Sequence, residues 1–245
     1  MTSFEYEIGD VIGTRATLGL VALQTDETLE HDLSRLLPRD GVTLYTSRVP
    51  SGAEVTEETL GDMASHLTAS AALFPSAAPL DVVGYGCTSG TSVIGAPSIH
   101  ELIKSGCNAR RVTEPVSALI AACKELGIAK LGFLSPYIED VSIHLRTTLE
   151  KSSIQSPVFG SFNEGEEAKV ARIDTASIVN AGVALGQDPG CQALFLSCTN
   201  LRTLDAIPEI EKTINKPVLS SNLVLGWHMA KLAGLPEADS ILSAK

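Results

Sequence analysis

Two cysteines of this 245-residue chain stand in matching sequence contexts. Cys87 follows the apolar run 81–86, Cys198 follows the apolar run 193–197, and small polar residues come after both. Each context predicts a β-strand that ends at the cysteine, followed by a turn and the start of a helix. A thiol in that position faces the unsatisfied N–H groups and the positive end of the next helix, which lower its pKa and favour the reactive thiolate.

The residues after the two cysteines are hydrogen-bond donors suited to a small carboxylate. They are Thr88 and Ser89 in the first context and Thr199 and Asn200 in the second. Two opposed thiols beside such donors can act as base and acid on opposite faces of one carbon. Alternatively, one thiol attacks as a nucleophile while the other moves a proton. The residues alone leave both mechanisms open.

The other three cysteines, Cys107, Cys123 and Cys191, are interpreted as small side chains of the core. Five scattered cysteines do not indicate a disulfide framework. No CxxC pair occurs, and the five histidines form no cluster with metal-ligand spacing. The glycines before Cys87 do not complete a dinucleotide fingerprint, so we expect no metal and no nicotinamide or flavin cofactor.

Short apolar runs alternate along the chain with longer segments of helical period. The predicted strands are Ala16–Leu23, Val42–Arg48, Asp81–Gly86, Leu131–Ser135, Val158–Phe162, Ala193–Ser197 and Pro217–Ser220. The predicted helices are Glu57–Leu73, Glu114–Leu126, Ile138–Lys151, Glu166–Leu185, Leu204–Ile214 and Leu223–Leu232. This alternation predicts an α/β fold with mostly parallel sheets flanked by helices.

The two cysteine contexts lie 111 residues apart and predict two pseudo-symmetric lobes. We expect an N-terminal lobe over 1–111 and a C-terminal lobe over 112–216, with segment 217–245 packing back on the first lobe. Because ligands bind beyond the carboxyl ends of parallel strands, both cysteines are expected to face one active site in the cleft between the lobes.

The composition excludes several classes of partner. With 29 acidic and 18 basic side chains, the formal net charge of −11 argues against binding to nucleic acid or to an acidic membrane surface. No apolar run approaches the roughly 20 residues of a membrane helix, and the acidic N-terminus lacks a signal-peptide pattern. We therefore expect a cytoplasmic protein with a small-molecule substrate.

Over almost its whole length the sequence resembles the aspartate/glutamate racemase superfamily, and within it the maleate cis-trans isomerase branch and its ectoine-utilisation members. The motifs that carry the resemblance are Gly86–Cys87–Thr88–Ser89, Leu134–Ser135–Pro136–Tyr137, Phe162–Asn163 and Ser197–Cys198–Thr199–Asn200. The resemblance implies a cofactor-independent isomerase of a small carboxylic acid that forms a homo-oligomer. It also implies that Cys87 adds to a double bond, Cys198 is its catalytic partner, and Tyr137 and Asn163 hold the substrate carboxylates.

Asp26 departs from the pattern of the isomerases, which have an asparagine at the corresponding position. An ionised Asp26 would repel a second substrate carboxylate, so one hypothesis is a substrate with an ammonium or amide group at that place. The alternative is that Asp26 caps the helix expected to start at Glu27.

Other functions stay open. The first alternative is an amino-acid or N-acyl-amino-acid racemase, for which the resemblance offers ectoine catabolism as one context. An arylmalonate-type decarboxylase is less favoured, because by the resemblance those enzymes keep only the second cysteine. A non-catalytic small-ligand binder is the alternative from another class, and binding alone requires no thiol.

Overall fold

A computed structural model describes residues 1–77 and 79–242, which form two four-stranded parallel sheets covered by helices. The strands are β1 Ala16–Leu23, β2 Val42–Val49, β3 Leu80–Gly86, β4 Ala109–Thr113, β5 Lys130–Ser135, β6 Gln155–Ser161, β7 Ala193–Leu196 and β8 Val218–Ser220. The helices are α1 Leu29–Leu36, α2 Glu57–Asp62, α3 Ala64–Ala71, α4 Thr88–Ile94, α5 Ala96–Gly106, α6 Pro115–Leu126, α7 Glu139–Lys151, α8 Glu167–Val170, α9 Thr175–Gly186, α10 Ile207–Ile214, α11 Ser221–Leu232 and α12 Ala238–Leu242.

The two sheets have the same strand order. The first is β2-β1-β3-β4 and the second is β6-β5-β7-β8, with every pairing parallel. In each sheet the chain winds outward in both directions from a central pair of strands, β1 with β3 and β5 with β7. The crevice at the carboxyl ends of such a pair is where ligands bind in open parallel sheets. The expectation of an α/β fold with two similar halves is confirmed.

Strands predicted from apolar runs are confirmed within three residues at their ends, because those runs are buried on both faces of a sheet. Several other elements differ from the predictions. The helix predicted over Glu57–Leu73 is divided between α2 and α3, and the one predicted over Glu166–Leu185 is divided between α8 and α9. The predictions omitted β4, α5 and α12, and they gave no bounds for α1 and α4, whose starts were expected after Asp26 and Cys87.

The expected lobe boundary at 111/112 falls inside β4, so the first sheet extends to Thr113. The C-terminal segment is shared between the halves, since β8 pairs with β7 while α11 packs against α1, α6, β3 and β4. Its last residues, 243–245, lie outside the described residues. The division into domains stays a prediction.

Helix α11 links the two sheets. The Ser220 side chain caps it by accepting the N–H of Leu223 at 3.2 Å. Nine of its twelve residues are buried, including the single tryptophan, Trp227, and each large apolar side chain buried there contributes roughly 2 kcal/mol. Its first residues, Ser221 and Asn222, therefore stand at fixed positions between the carboxyl ends of β3 and β7.

Candidate active site

The strand order of the two sheets places four of the predicted site residues at one cleft. Asp26 and Cys87 follow β1 and β3, the central pair of the first sheet. Tyr137 and Cys198 follow β5 and β7, the central pair of the second sheet. Each half therefore contributes the crevice at the centre of its own sheet, and the two crevices face each other.

Cys87 begins α4 as its N-cap residue. Its Sγ accepts the backbone N–H of Gly90 at 3.1 Å, and its carbonyl accepts the Thr91 hydroxyl at 2.6 Å. Glycine is required at position 90, because a Cβ there would lie 2.9 Å from Cys87 Sγ and 2.7 Å from the Tyr85 hydroxyl. The thiol thus sits against the first turn of the helix, as the sequence predicts.

Cys198 occupies a different kind of turn. Its φ is +109°, a left-handed conformation that costs a non-glycine residue about 1–3 kcal/mol and is found mainly where function requires it. The Cys198 N–H donates to Ser221 Oγ at 3.0 Å, and its Sγ accepts the N–H of Asn200 at 3.3 Å. No helix begins directly behind it, contrary to the prediction, because the next helix, α10, starts only at Ile207.

The Cys198 thiol is connected to a buried carboxylate through a tyrosine. The Tyr137 hydroxyl lies 2.9 Å from Cys198 Sγ and donates to Glu167 Oε1 at 2.7 Å. The other oxygen of Glu167 accepts the side-chain amide of Asn200 at 2.7 Å. The result is a continuous chain of hydrogen bonds from thiol to phenol to carboxylate.

Hydrogen bonds across the cleft tie the two cysteine turns together. Ser221 Oγ accepts the Thr88 hydroxyl at 2.8 Å as well as the Cys198 N–H. The Thr199 hydroxyl donates to the Gly86 carbonyl at 3.1 Å. The turns therefore form one wall, and movement of either changes the position of the other.

The two thiols line one closed cavity of about 10 Å³, which is space for a single water molecule. The other lining residues are Leu23, Leu60, Thr88, Ser89, Tyr137, Glu167 and Thr199. On the outer side of Glu167 lies an open depression of about 400 Å³, where residues 53–55 and 165–167 of the two halves pair through backbone hydrogen bonds. Glu167 is the residue that lines both the cavity and this depression.

Burial controls the ionisation of both thiols in this closed state. It raises the pKa of Cys87 to about 12, against the lowering effect of the Gly90 N–H. It raises the pKa of Cys198 well above its usual value, and the nearby Glu167 carboxylate adds to this rise. The expectation of a lowered pKa is therefore wrong for the closed site, because desolvation outweighs the helix N–H groups.

Asp26 is buried, and its side chain caps the start of helix α1. Its Oδ1 accepts the N–H groups of Thr28 and Leu29 at 2.8 and 2.7 Å, at the start of α1. Its Oδ2 makes no hydrogen bond with a described residue, and burial raises its pKa. The structure therefore contains the helix cap that was one of the two alternatives for Asp26, while its Oδ2 atom has no hydrogen-bond partner among the described residues.

The remaining predicted residues differ in their placement. Thr88, Ser89 and Thr199 line the cavity, and Asn200 lies behind it against Glu167. Asn163, which was expected to hold a substrate carboxylate, lies away from the cavity. It is exposed, adopts a left-handed φ of +59° and is not among the cavity-lining residues, because its N–H is held by the Ser161 hydroxyl in a turn after β6.

Glu167 is the site residue that the sequence does not predict. It belongs to the segment 164–167, whose three glutamates are typical of the first turn of a helix, where carboxylates favour the positive end of the dipole. Only 4% of its surface is exposed, because its N–H bonds to the Ala53 carbonyl of the other half and its carboxylate turns inward to Tyr137. Burial raises its pKa, and the hydrogen bonds from Tyr137 and Asn200 lower it.

Within residues 1–77 and 79–242, no group of three or more His, Cys, Asp or Glu side chains is arranged to hold a metal ion. None of the helices in these two ranges is long and apolar enough to cross a membrane.

Comparison with known proteins was made at the levels of family, sequence and structure. A model of the arylmalonate decarboxylase family matches residues 104–242. An arylmalonate decarboxylase of Bordetella bronchiseptica is 28% identical over 212 residues, which cover 81% of this chain and 86% of that enzyme. A maleate isomerase of Geobacillus stearothermophilus is 24% identical over 247 residues, which cover 93% of this chain and 97% of that enzyme.

A solved structure shows the same fold. It is a maleate cis-trans isomerase of Nocardia farcinica, a cysteine-to-serine mutant with a covalently bound succinylcysteine intermediate. It superposes with a TM-score of 0.79 at 19% sequence identity and covers 91% of this chain and 94% of that one.

Proposed function

The chain belongs to the arylmalonate decarboxylase family, and from that premise we propose that it is a cofactor-independent isomerase of a small carboxylic acid that uses Cys87 and Cys198. The relatives found by sequence are enzymes, an arylmalonate decarboxylase and maleate isomerases. The proposal is carried by one observation. Two buried thiols, from equivalent strand ends of two similar sheets, line the same closed cavity.

In this proposal Cys198 exchanges its proton through Tyr137. The thiol gives its proton to the Tyr137 hydroxyl oxygen, and the tyrosine passes its own proton to Glu167 Oε1. Tyr137 remains neutral, and the net charge of the site does not change. The resulting thiolate keeps the hydrogen bond from the Asn200 N–H.

Cys87 acts as the nucleophile in this proposal. In cis-trans isomerisation the Cys198 thiolate accepts the proton of the Cys87 thiol, Cys87 Sγ adds to one carbon of the double bond, and the Cys198 thiol delivers that proton to the other carbon. Rotation about the new single bond follows, and elimination breaks the C–S bond and releases the proton. The succinylcysteine of the Nocardia farcinica isomerase is a precedent for such an adduct.

Racemisation is the second candidate, and the shared cavity also supports it. Neither thiol then bonds to carbon. One thiolate removes the α-proton, and the other thiol returns a proton on the opposite face. Decarboxylation is supported by the 28% identity to the Bordetella enzyme, but it requires only one proton donor and leaves one of the two thiols without a part.

The test is proton NMR of the purified protein in D2O with a panel of candidate substrates. The panel holds maleate, both enantiomers of aspartate and glutamate, N-acetyl-diaminobutyrate and phenylmalonate. Conversion of a cis to a trans acid, or deuterium at an α-carbon, supports the proposal and separates its two forms. Loss of CO2 from phenylmalonate supports the decarboxylase instead. Silence across the panel, with both thiols unprotected from alkylation by any of its compounds, overturns the enzymatic proposal.

A further inference from the structure

The Glu167 carboxyl group lines the cavity between the two thiols and accepts hydrogen bonds at both oxygens, as an ionised carboxylate does. Of the residues that line the cavity, Glu167 is the only one with a carboxyl group, and within the described ranges no Lys, Arg or His side chain lines it. Asp26 adds a second carboxyl group beside the wall. The N–H of the next residue, Glu27, donates to Asn200 Oδ1 at 2.8 Å, and the Asn200 side-chain amide donates to Glu167 at 2.7 Å, so Asp26 and Glu167 are held by the same asparagine.

The nearest guanidinium is already occupied. Arg48 donates to the backbone carbonyls of Leu23 and Asp26 at 2.9 Å and pairs with the Glu30 carboxylate. Burial raises the pKa of Asp26 and Arg48 lowers it, and Arg48 is not among the residues that line the cavity. The Oδ2 atom of Asp26 stays buried without a hydrogen-bond partner among the described residues.

The depression on the outer side of Glu167 is acidic as well. The outer depression is lined by Glu27, Glu54, Glu166 and Glu167 and by no basic residue of the described chain. Arg172 and Lys169 pair with Glu27 and Glu166 from outside the lining. Glu54 and Glu167 are the carboxyl groups of this lining that no basic side chain of the described residues pairs with.

A dicarboxylate and an aminocarboxylate would experience this site in opposite ways. A second substrate carboxylate would face Glu167 and Asp26 at low local dielectric, where like charges in proximity are strongly unfavourable. An ammonium group would find acceptors in both carboxyl groups and would offset the charge that remains when a thiolate forms. Because proton transfer from Cys198 to Glu167 leaves the net charge unchanged, only the ligand can supply this compensation.

We propose that the substrate is a small carboxylic acid bearing an ammonium group, and that this group binds between Glu167 and Asp26. This rests on the proposed function, since it assigns a substrate class to the same cavity. The substrate carboxylate then lies toward the first cysteine turn, where Thr88 and Ser89 line the cavity.

The test uses three unreactive ligands that share a four-carbon chain and one carboxylate. Their other ends are a carboxylate in succinate, an amide in succinamate and an ammonium group in 4-aminobutyrate. Affinities are measured by calorimetry at pH 8 and low salt, so turnover is not required. We expect 4-aminobutyrate to bind roughly tenfold more tightly than succinate, with succinamate between them.

Charge-neutral variants identify the groups responsible. Glu167→Gln is expected to bring the ratio of the two affinities close to one, and Asp26→Asn to reduce it by a smaller factor. Glu101→Gln, an exposed change on α5, is the matched control and is expected to keep the wild-type ratio. Thermal unfolding of each variant verifies that it is folded.

The outcomes separate this proposal from the one it rests on. Tighter binding of succinate than of 4-aminobutyrate by the wild-type protein, or a wild-type ratio retained in Glu167→Gln, overturns the ammonium site and leaves the isomerase proposal standing. If none of the three ligands binds and none protects Cys87 or Cys198 from alkylation, the cavity is not a ligand site and both proposals fail.

Discussion

The two cysteine turns follow equivalent strands, but their thiols have different neighbours. Cys87 caps a helix and accepts the Gly90 N–H. Burial raises the pKa of Cys87, the neighbouring Tyr85 hydroxyl lowers it, and that hydroxyl donates to the sulfur of Met63 at 3.7 Å. Cys198 sits in a strained left-handed turn without a helix behind it. Its neighbouring hydroxyl, that of Tyr137, leads on to a carboxylate.

This difference shows that a repeated sequence context fixes the location of a residue more closely than its role. Both cysteines reach the cleft because β3 and β7 occupy the same place in two similar sheets. What each thiol can do depends on residues from other elements. The first turn holds its thiol in one position, whereas the second gives its thiol a route for a proton.

The largest expected effect is a difference in turnover between the Tyr137→Phe and Tyr85→Phe variants. Tyr137→Phe removes the link between Cys198 and Glu167, and we expect turnover of the substrate identified by NMR to fall about 100-fold, the usual range for a lost proton-transfer group. Tyr85→Phe removes a hydroxyl with no carboxylate behind it, and we expect a loss of only a few fold. Steady-state kinetics with both variants gives the comparison.

The rate of alkylation is the control for this pair. In the absence of ligand, Cys87 is expected to react with iodoacetamide at the same rate in Tyr137→Phe as in the wild-type protein. Equal losses of turnover in the two tyrosine variants would contradict the assignment of the proton route to the second turn.

A second prediction concerns the pH dependence of thiol reactivity in the unliganded protein. Because burial raises the pKa of Cys87 to about 12, its thiolate fraction is expected to rise about tenfold per pH unit between pH 8 and pH 10. Cys198 is expected to react more slowly than Cys87 at each pH. Peptide mass spectrometry after timed alkylation measures both. A rate for Cys87 that levels off below pH 9 would show that the thiol is not desolvated.

The smallest expected effect is on the free energy of unfolding, and it concerns Asp32 and Asn222 behind the second cysteine turn. Asn222 donates to Asp32 Oδ2 at 2.7 Å and to the Thr199 carbonyl at 2.8 Å, and burial raises the pKa of Asp32 to about 6. The unfolded chain releases this proton near pH 4 and the folded chain near pH 6, so stability falls as the pH rises between them and is constant above.

Asp32→Asn keeps an acceptor for Asn222 and removes the titration. We expect the free energy of unfolding to increase by roughly 3 kcal/mol at pH 8 and to be nearly unchanged at pH 4. Urea denaturation at the two pH values measures this. An equal change at both would mean that the effect is one of packing and not of charge.

Much of the fold follows from local sequence. The central strands β1, β3, β5 and β7 are predicted because they are continuous apolar runs buried on both faces of a sheet. The short edge strand β4 is missed because it carries the exposed Arg110 and Arg111. The helix after Cys87 lacks an apolar period, since its first turns consist of Thr, Ser and Gly residues whose burial comes from neighbouring helices.

The site is predicted less completely than the fold. The two cysteines and Tyr137 follow from strand ends and from the family resemblance, and they do meet at one cavity. Glu167 does not follow, because an acidic run is ordinarily solvated, and this one is buried only by its pairing with residues 53–55 of the other half. The capping role of Asp26 was one of two local alternatives, and only the tertiary structure shows that its second oxygen remains unpartnered.

The central claim is that two unlike cysteine turns form one catalytic site. It is tested most directly by proton NMR in D2O of Cys87→Ser, Cys198→Ser and the control Cys107→Ser, each with the substrate that the wild-type protein converts. We expect turnover to fall at least about 1,000-fold in each of the first two variants and to be unchanged in the control. Wild-type turnover by either of the first two variants would contradict the claim, because one thiol would then be sufficient.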